Sequence, residues 1–212
     1  SKSHYFCTMT NFIPIFPLQL VVFPGEHLNL HIFEPRYQQL ITECYQAKKP
    51  FGIPVVIDKK IQDYGSLIHV QEIVKTYPNG EMDIKTTAEK VFRVLEVIPS
   101  VPEKLYSGAI VNYLPNDWEG SKSMMKTLIQ RMRDFHARLQ VEKQFYKSEE
   151  ELTSFDIAHH SGLTLWQEYE LLQLTSERQR QEYLKKHFEA LPAIEEAQKI
   201  REKIQMNGHF RY

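Results

Sequence analysis

His159 and His160 are the residues whose type and spacing could most directly do chemistry. Imidazole ligates metals and moves protons near neutral pH. Asp156 precedes them by three and four positions, so the three residues form a candidate metal cluster on a short helix. Successive helical residues diverge by about 100°, however, and two adjacent histidines cannot face one ion undistorted. The simpler reading is an exposed or capping histidine beside a core one. His27, Asn29 and His31 share one face of an alternating stretch and read as the solvent side of a strand. Glu149, Glu150 and Glu151 read as a solvated charge run. No P-loop, GxGxxG, HExxH or GxSxG pattern occurs. No catalytic residue, metal ligand or cofactor site is therefore assigned, and the chain reads as non-enzymatic.

The 212 residues suffice for one large domain or two small ones. Lys and Arg total 26 against 27 Asp and Glu, for a net charge of −1. No charge excess points to nucleic acid or an anionic membrane. Cys7 and Cys44 form no CxxC, and two reduced thiols are the favoured reading over one bridge. No run of about 18 apolar residues predicts a membrane span, and the N-terminus lacks a signal-peptide pattern. The expected location is the cytoplasm.

The elements that would position these residues fall into two groups. Leu18, Leu20 and Val22 fit one strand face, and Pro24-Gly25 fits a type II turn leading into a paired strand through Ile32. Glu34 and Pro35 open a helix carrying Tyr37, Leu40, Ile41, Cys44 and Tyr45, which should stop before Lys48. Strands are predicted over 51–57, 67–77, 82–87, 91–98 and 109–114, with a type I′ turn at Asn79-Gly80. That spacing suggests a closed or nearly closed barrel with one attached helix.

Beyond residue 117 the pattern turns helical. Met125, Leu128, Met132, Phe135 and Leu139 form one stripe. Ser154 is expected to cap a short helix, Ser161-Gly162 to end it, and a helix follows over 165–174. Ser176 to Gln179 fits a capping box before a helix with Leu184, Phe188 and Leu191 on one face. Ile194, Ala197, Ile200 and Ile204 suggest a last helix. The division is 1–117 and 118–212. Ala158 to Thr164 resembles the turn of a DNA-binding helix-turn-helix, but the would-be recognition helix carries Glu168 and Glu170 and no cation before Arg178. A plain packing corner is the better reading.

Val22-Phe23-Pro24-Gly25 and Ile32-Phe33-Glu34-Pro35-Arg36-Tyr37 together resemble the signature of the N-terminal substrate-binding domain of the ATP-dependent Lon protease family. Gly65, Asn79-Gly80, Phe92-Arg93 and the helical region through Leu184 keep that family's order, so the resemblance covers most of 12–192. Asn29 stands where proline is common, and Thr87 to Val91 departs from the family pattern. The resemblance implies an α+β fold: a PUA-like β-barrel with one attached helix, followed by a C-terminal helical bundle. It implies recognition of unfolded or tagged protein substrates, with a Lon-type protease or the chain itself as a further partner. The chain reads as a stand-alone protein of this kind or as an N-terminal piece of Lon.

Two functions follow from this reading. The first is a non-catalytic peptide-binding module using the face near the Pro24 turn and the seam between strands and helices. Phe16, Phe23, Tyr77 and Met82 are its candidate contacts, while Phe33 is assigned to the core; Pro24, Gly25, Glu34, Pro35, Arg36 and Tyr37 are structural signature residues. The alternative is an RNA- or DNA-binding PUA-like or helix-turn-helix protein, which the charge balance opposes.

Overall fold

Prolines and glycines decide where the strands of this protein run. In the computed structural model, which describes residues 11–191 with 200, 201 and 204, six strands form one antiparallel sheet. They are β1 (Asn11–Pro14), β2 (His27–Ile32), β3 (Phe51–Ile57), β4 (Lys60–Thr76), β5 (Met82–Ile98) and β6 (Gly108–Tyr113). The order is β1-β6-β5-β4-β3, and β2 pairs with β5.

The sheet is not closed, which corrects the expected barrel. The chain from Ile15 to Leu18 meets β3 only through isolated parallel bridges, Ile15 with Gly52 and Leu18 with Val55. Pro14 and Pro17 carry no N–H, so no continuous ladder can form along this segment. For the same reason the strand expected at Leu18 to Val22 does not form, and β2 pairs with β5 rather than with the chain before it.

Long strands replace several short predicted ones. β5 runs through 82–98 and changes neighbours along its length. Its first half lies between β2 and β4, and its second between β4 and β6. β4 begins at Lys60 after a two-residue hairpin in which Asp58 and Lys59 both have positive φ. The Asn79-Gly80 turn is not type I′. Gly80 donates to the Tyr77 carbonyl at 2.9 Å and has φ +87°, while Asn79 keeps negative φ. Pro78 locks φ near −65°, which a type I′ turn cannot use.

The helices are α1 (Pro35–Ala47), α2 (Lys122–Leu139), α3 (Ser154–Ala158), α4 (Leu165–Gln173) and α5 (Glu177–Glu189), with a 3-10 turn at Glu149–Glu151. α1 buries Tyr37, Leu40, Ile41 and Cys44 against Leu28, Leu30, Ile32 and Ile84 of the sheet; Tyr45 is exposed instead. The α2 stripe packs with Leu152, Ile157, Leu171 and Leu184 and reaches Val21, Phe23 and Val91 of the sheet region. Thr153, not Ser154, caps α3 through a box with Asp156. α5 starts where expected, but no side chain caps it at Ser176. Cys7 and most of the helix expected over Ile194 to Ile204 lie outside the described residues; Ile204 packs with Phe135 and Leu139. No helix among the described residues is long and apolar enough to cross a membrane.

The Phe23–Glu26 turn forms as expected, with Glu26 donating to the Phe23 carbonyl at 3.0 Å. Gly25 has φ +85°, and a Cβ there would meet nothing within 4 Å. Gly25→Ala therefore isolates backbone strain from crowding. It should cost about 1 kcal/mol in urea unfolding, with an unchanged denaturant slope.

Candidate functional site

A cleft of about 420 Å³ opens where the Phe23–Glu26 turn meets the helices. Phe23, Leu28, Phe145, Leu152 and Phe155 supply its apolar lining, and Tyr146 stands fully exposed at its rim. Phe23 stacks on Phe155 with ring centroids 5.0 Å apart. The apolar stretch before the turn delivers Phe23, and the short α3 delivers Phe155.

The floor of the cleft is an ion triad. Buried His159 places Nε2 2.8 Å from Glu26 Oε2 and Nδ1 2.9 Å from Glu168 Oε1. Burial opposes the imidazolium, but the two carboxylates outweigh it and raise the His159 pKa well above its ordinary value. Both ring nitrogens then donate, one to each glutamate. Glu26 also accepts the Phe23 N–H at 2.9 Å, so one carboxylate fixes the turn and binds α3 to it. Next door, burial and then the His159 charge push the His160 pKa down to about 3. Its Nδ1 is buried without a hydrogen-bond partner, and Phe145 packs edge-on against the ring at 5.0 Å.

Behind the cleft lies a second buried charge. Arg180 has no exposed surface. It donates to Glu177 Oε2 at 3.1 and 3.2 Å, to Ser154 Oγ at 3.0 Å, to Asn116 Oδ1 at 3.0 Å and to the Leu174 carbonyl at 2.7 Å. Its guanidinium lies 4.1 Å from the Phe155 ring centroid. Burial lowers its pKa and Glu177 opposes that shift. Glu177 also accepts the Ser154 N–H and hydroxyl at 2.7 and 2.6 Å. Ser154 therefore serves this anchor instead of the cap expected of it.

The candidate metal cluster of Asp156, His159 and His160, disfavoured from the sequence, is not assembled. Asp156 caps Thr153 and pairs with Lys147, while His159 is committed to its two glutamates. Among the described residues no group of three or more His, Cys, Asp or Glu could hold a metal ion. His31 lies on the outer sheet face between Asp83 and Glu81, at 2.7 and 2.9 Å, and its hydrogen bond to Asp83 leads in raising its pKa. The helix-turn-helix reading gains no cationic face, because Glu168 is buried on α4 and Glu170 accepts from Tyr183.

The candidate binding residues are dispersed. Phe16, Phe23 and Met82 are buried, each at the wall of a different hollow. Tyr77 donates to Asp83 at 2.8 Å and lies beneath Lys75. Phe33, assigned to the core, is 50% exposed. Sequence reasoning missed Glu26, Glu168, Glu177 and Arg180. A signal existed: Glu168 lies on one stripe with Leu165 and Leu172, and Glu177 and Arg180 share the stripe of Leu184 and Phe188. A charge inside an apolar stripe requires a buried partner.

Two comparisons bear on this geometry. A family described as the ATP-dependent protease La (LON) substrate-binding domain matches residues 13–200. The fold is similar to that of a crystal structure of a Lon N-terminal domain protein from Xanthomonas campestris, with TM-score 0.64 and 20% identity, covering 86% of this chain and 99% of that one. It is also similar to the N-terminal domain of a Mycobacterium avium complex Lon protease, with TM-score 0.63 and 14% identity, covering 86% and 100%.

His159→Asn should strand the buried Glu168 carboxylate and the half-buried Glu26 carboxylate and cost about 3–5 kcal/mol in urea unfolding near pH 6.5. A histidine whose folded pKa is raised contributes its full stability below the unfolded value of 6.5 and loses it as pH rises through the folded value. The gap between wild type and variant should therefore shrink through the alkaline range.

Proposed function

The chain belongs to the Lon substrate-binding-domain family, and from that premise we propose that it is a non-catalytic module that binds unfolded or tagged polypeptides. The open aromatic cleft beside the Pro24 turn carries this reading. Its volume suits one or two apolar side chains, and its apolar walls suit the residues that folding would hide. The family match comprises the substrate-binding domain alone. The chemistry of the cleft supports a non-catalytic role as well. Its lining contains no Ser, Thr or Cys, and His159, Glu26 and Asp156 are held in structural pairs.

In this reading the strands and α1, within 1–117, form one subdomain, and 118–212 forms a helical bundle. The two embrace the client at their seam. A Lon-type protease or a second copy is the natural further partner, and the cytoplasm the natural compartment. Nucleic acid is disfavoured by the net charge of −1 and the acidic α4.

A reduced, S-carboxymethylated polypeptide that cannot fold should bind the purified protein, as read by fluorescence anisotropy, while its folded parent should not. Affinity should change little between about 50 and 200 mM salt, whereas a nucleic-acid site with six or more phosphate contacts would lose about a thousandfold. Tyr146→Ala should weaken polypeptide binding by about 1 kcal/mol. Equal binding of folded and unfolded forms would reject the proposal.

A further inference from the structure

Every edge of an open sheet is a row of unpaired backbone groups, and native sheets guard their edges with prolines, lysines, bulges or covering chain. Of the three edge strands among the described residues, two are guarded in that way. β1 ends in Pro14. β3 contains Pro54, and its outer side is bridged by Ile15, Phe16 and Leu18. β2 is different. Its sequence, HLNLHI, contains neither proline nor lysine, and its register with β5 runs from His27 to Ile32 without a bulge. Among the described residues it has no second strand neighbour.

The phase of the β2–β5 ladder shows which groups are free. Ala88 donates its N–H to the Glu26 carbonyl at 2.9 Å. Bonded pairs alternate along an antiparallel ladder, so Leu28, Leu30 and Ile32 exchange bonds with β5. The backbone N–H and C=O groups of His27, Asn29 and His31 lie on the opposite edge. Leu30 is completely buried while Asn29 and His31 are partly exposed, so the side chains of the free-edge residues lie on the outer face of the sheet.

A hollow lies at each end of that edge. The cleft already described touches His27, Leu28 and Asn29. A second hollow of about 260 Å³ touches His31 and Phe33 and is walled by Phe16, Leu18 and Tyr37. Phe16 and Tyr37 stack there at 3.8 Å, and exposed Phe33 stands beside them. His27 and Phe33 are about 20 Å apart along a strand rising about 3.3 Å per residue, so one extended segment of about seven residues would reach both hollows.

We propose that the free edge of β2 receives an extended segment of a client polypeptide as an added strand, with apolar side chains of that segment entering the two flanking hollows. The proposal rests on the polypeptide-binding reading and gives it a geometry. Backbone pairing tolerates any sequence, while the hollows select for apolar side chains at both ends. A second copy of β2 fits less well. Its Leu28, Leu30 and Ile32 lie in its own core, and its remaining side chains are His27, Asn29 and His31. An unfolded chain brings free apolar side chains to both hollows.

Residue-resolved amide exchange, with and without the carboxymethylated polypeptide, tests the proposal. The amides of His27, Asn29 and His31 should slow by about tenfold or more on binding, while those of Leu28 and Leu30, already bonded to β5, should change little. Asn29→Pro removes one outward donor and leaves the β5 ladder intact. It should weaken binding by about tenfold with the circular-dichroism spectrum unchanged. If that variant fails to fold, the exchange measurement on the unaltered protein decides alone. Full binding with protection confined to other residues would overturn the edge proposal and leave polypeptide binding standing. No binding at all would overturn both. Protection of the three amides without polypeptide, rising with protein concentration, would assign the edge to a second copy and overturn the proposal.

Discussion

A histidine cannot be buried in charged form unless its neighbours repay the lost water, and at His159 two glutamates from different parts of the chain do so. Glu26 comes from the turn before β2, and Glu168 from the middle of α4. The imidazolium between them joins the sheet side of the molecule to the helical side by a contact that neither could form alone. Because Glu26 also holds the Phe23 amide, the same interaction sets the turn, the start of β2 and the placement of Phe23 over Phe155. Removing one partner would leave an uncompensated charge, which makes this contact far stricter than the apolar packing around it.

Arg180 and Glu177 apply the same logic inside the helical part. Their hydrogen bonds reach the loop after β6 through Asn116, the start of α3 through Ser154 and the end of α4 through Leu174. Three segments far apart in sequence are thereby fixed around one guanidinium. Between the two buried charges lies Phe155, which contacts Phe23 on one side and Arg180 on the other. The cleft keeps its shape because its walls are pinned from behind, so its apolar surface stays open without collapsing into the core.

Much of the fold was legible because local chemistry and tertiary context agreed. The α2 stripe, the Pro35 start of α1 and the positive φ of Gly25 follow from periodicity, the missing proline N–H and the absence of a Cβ. Where long-range pairing decided, the sequence misled. The partner of β2 lies 50 to 60 residues away on β5, and nothing local to Leu18–Ile32 announces it. Closure of the sheet likewise depended on what Ile15 to Leu18 meet across space. The seam was singled out as a candidate surface, and the structure places a cleft there, yet its structural charges were overlooked. Glu168 was read only as an acidic residue of a would-be recognition helix and Arg180 was not singled out, although their positions within apolar stripes demanded buried partners.

The charge on His159 is the claim on which this account of the seam depends, and an NMR titration of its ring nitrogens tests it most directly. The account predicts that both nitrogens stay protonated well above pH 6.5, and that Glu26→Gln lowers the midpoint. A titration at or below pH 6.5, unaffected by Glu26→Gln, would show a neutral histidine at the seam and contradict the account.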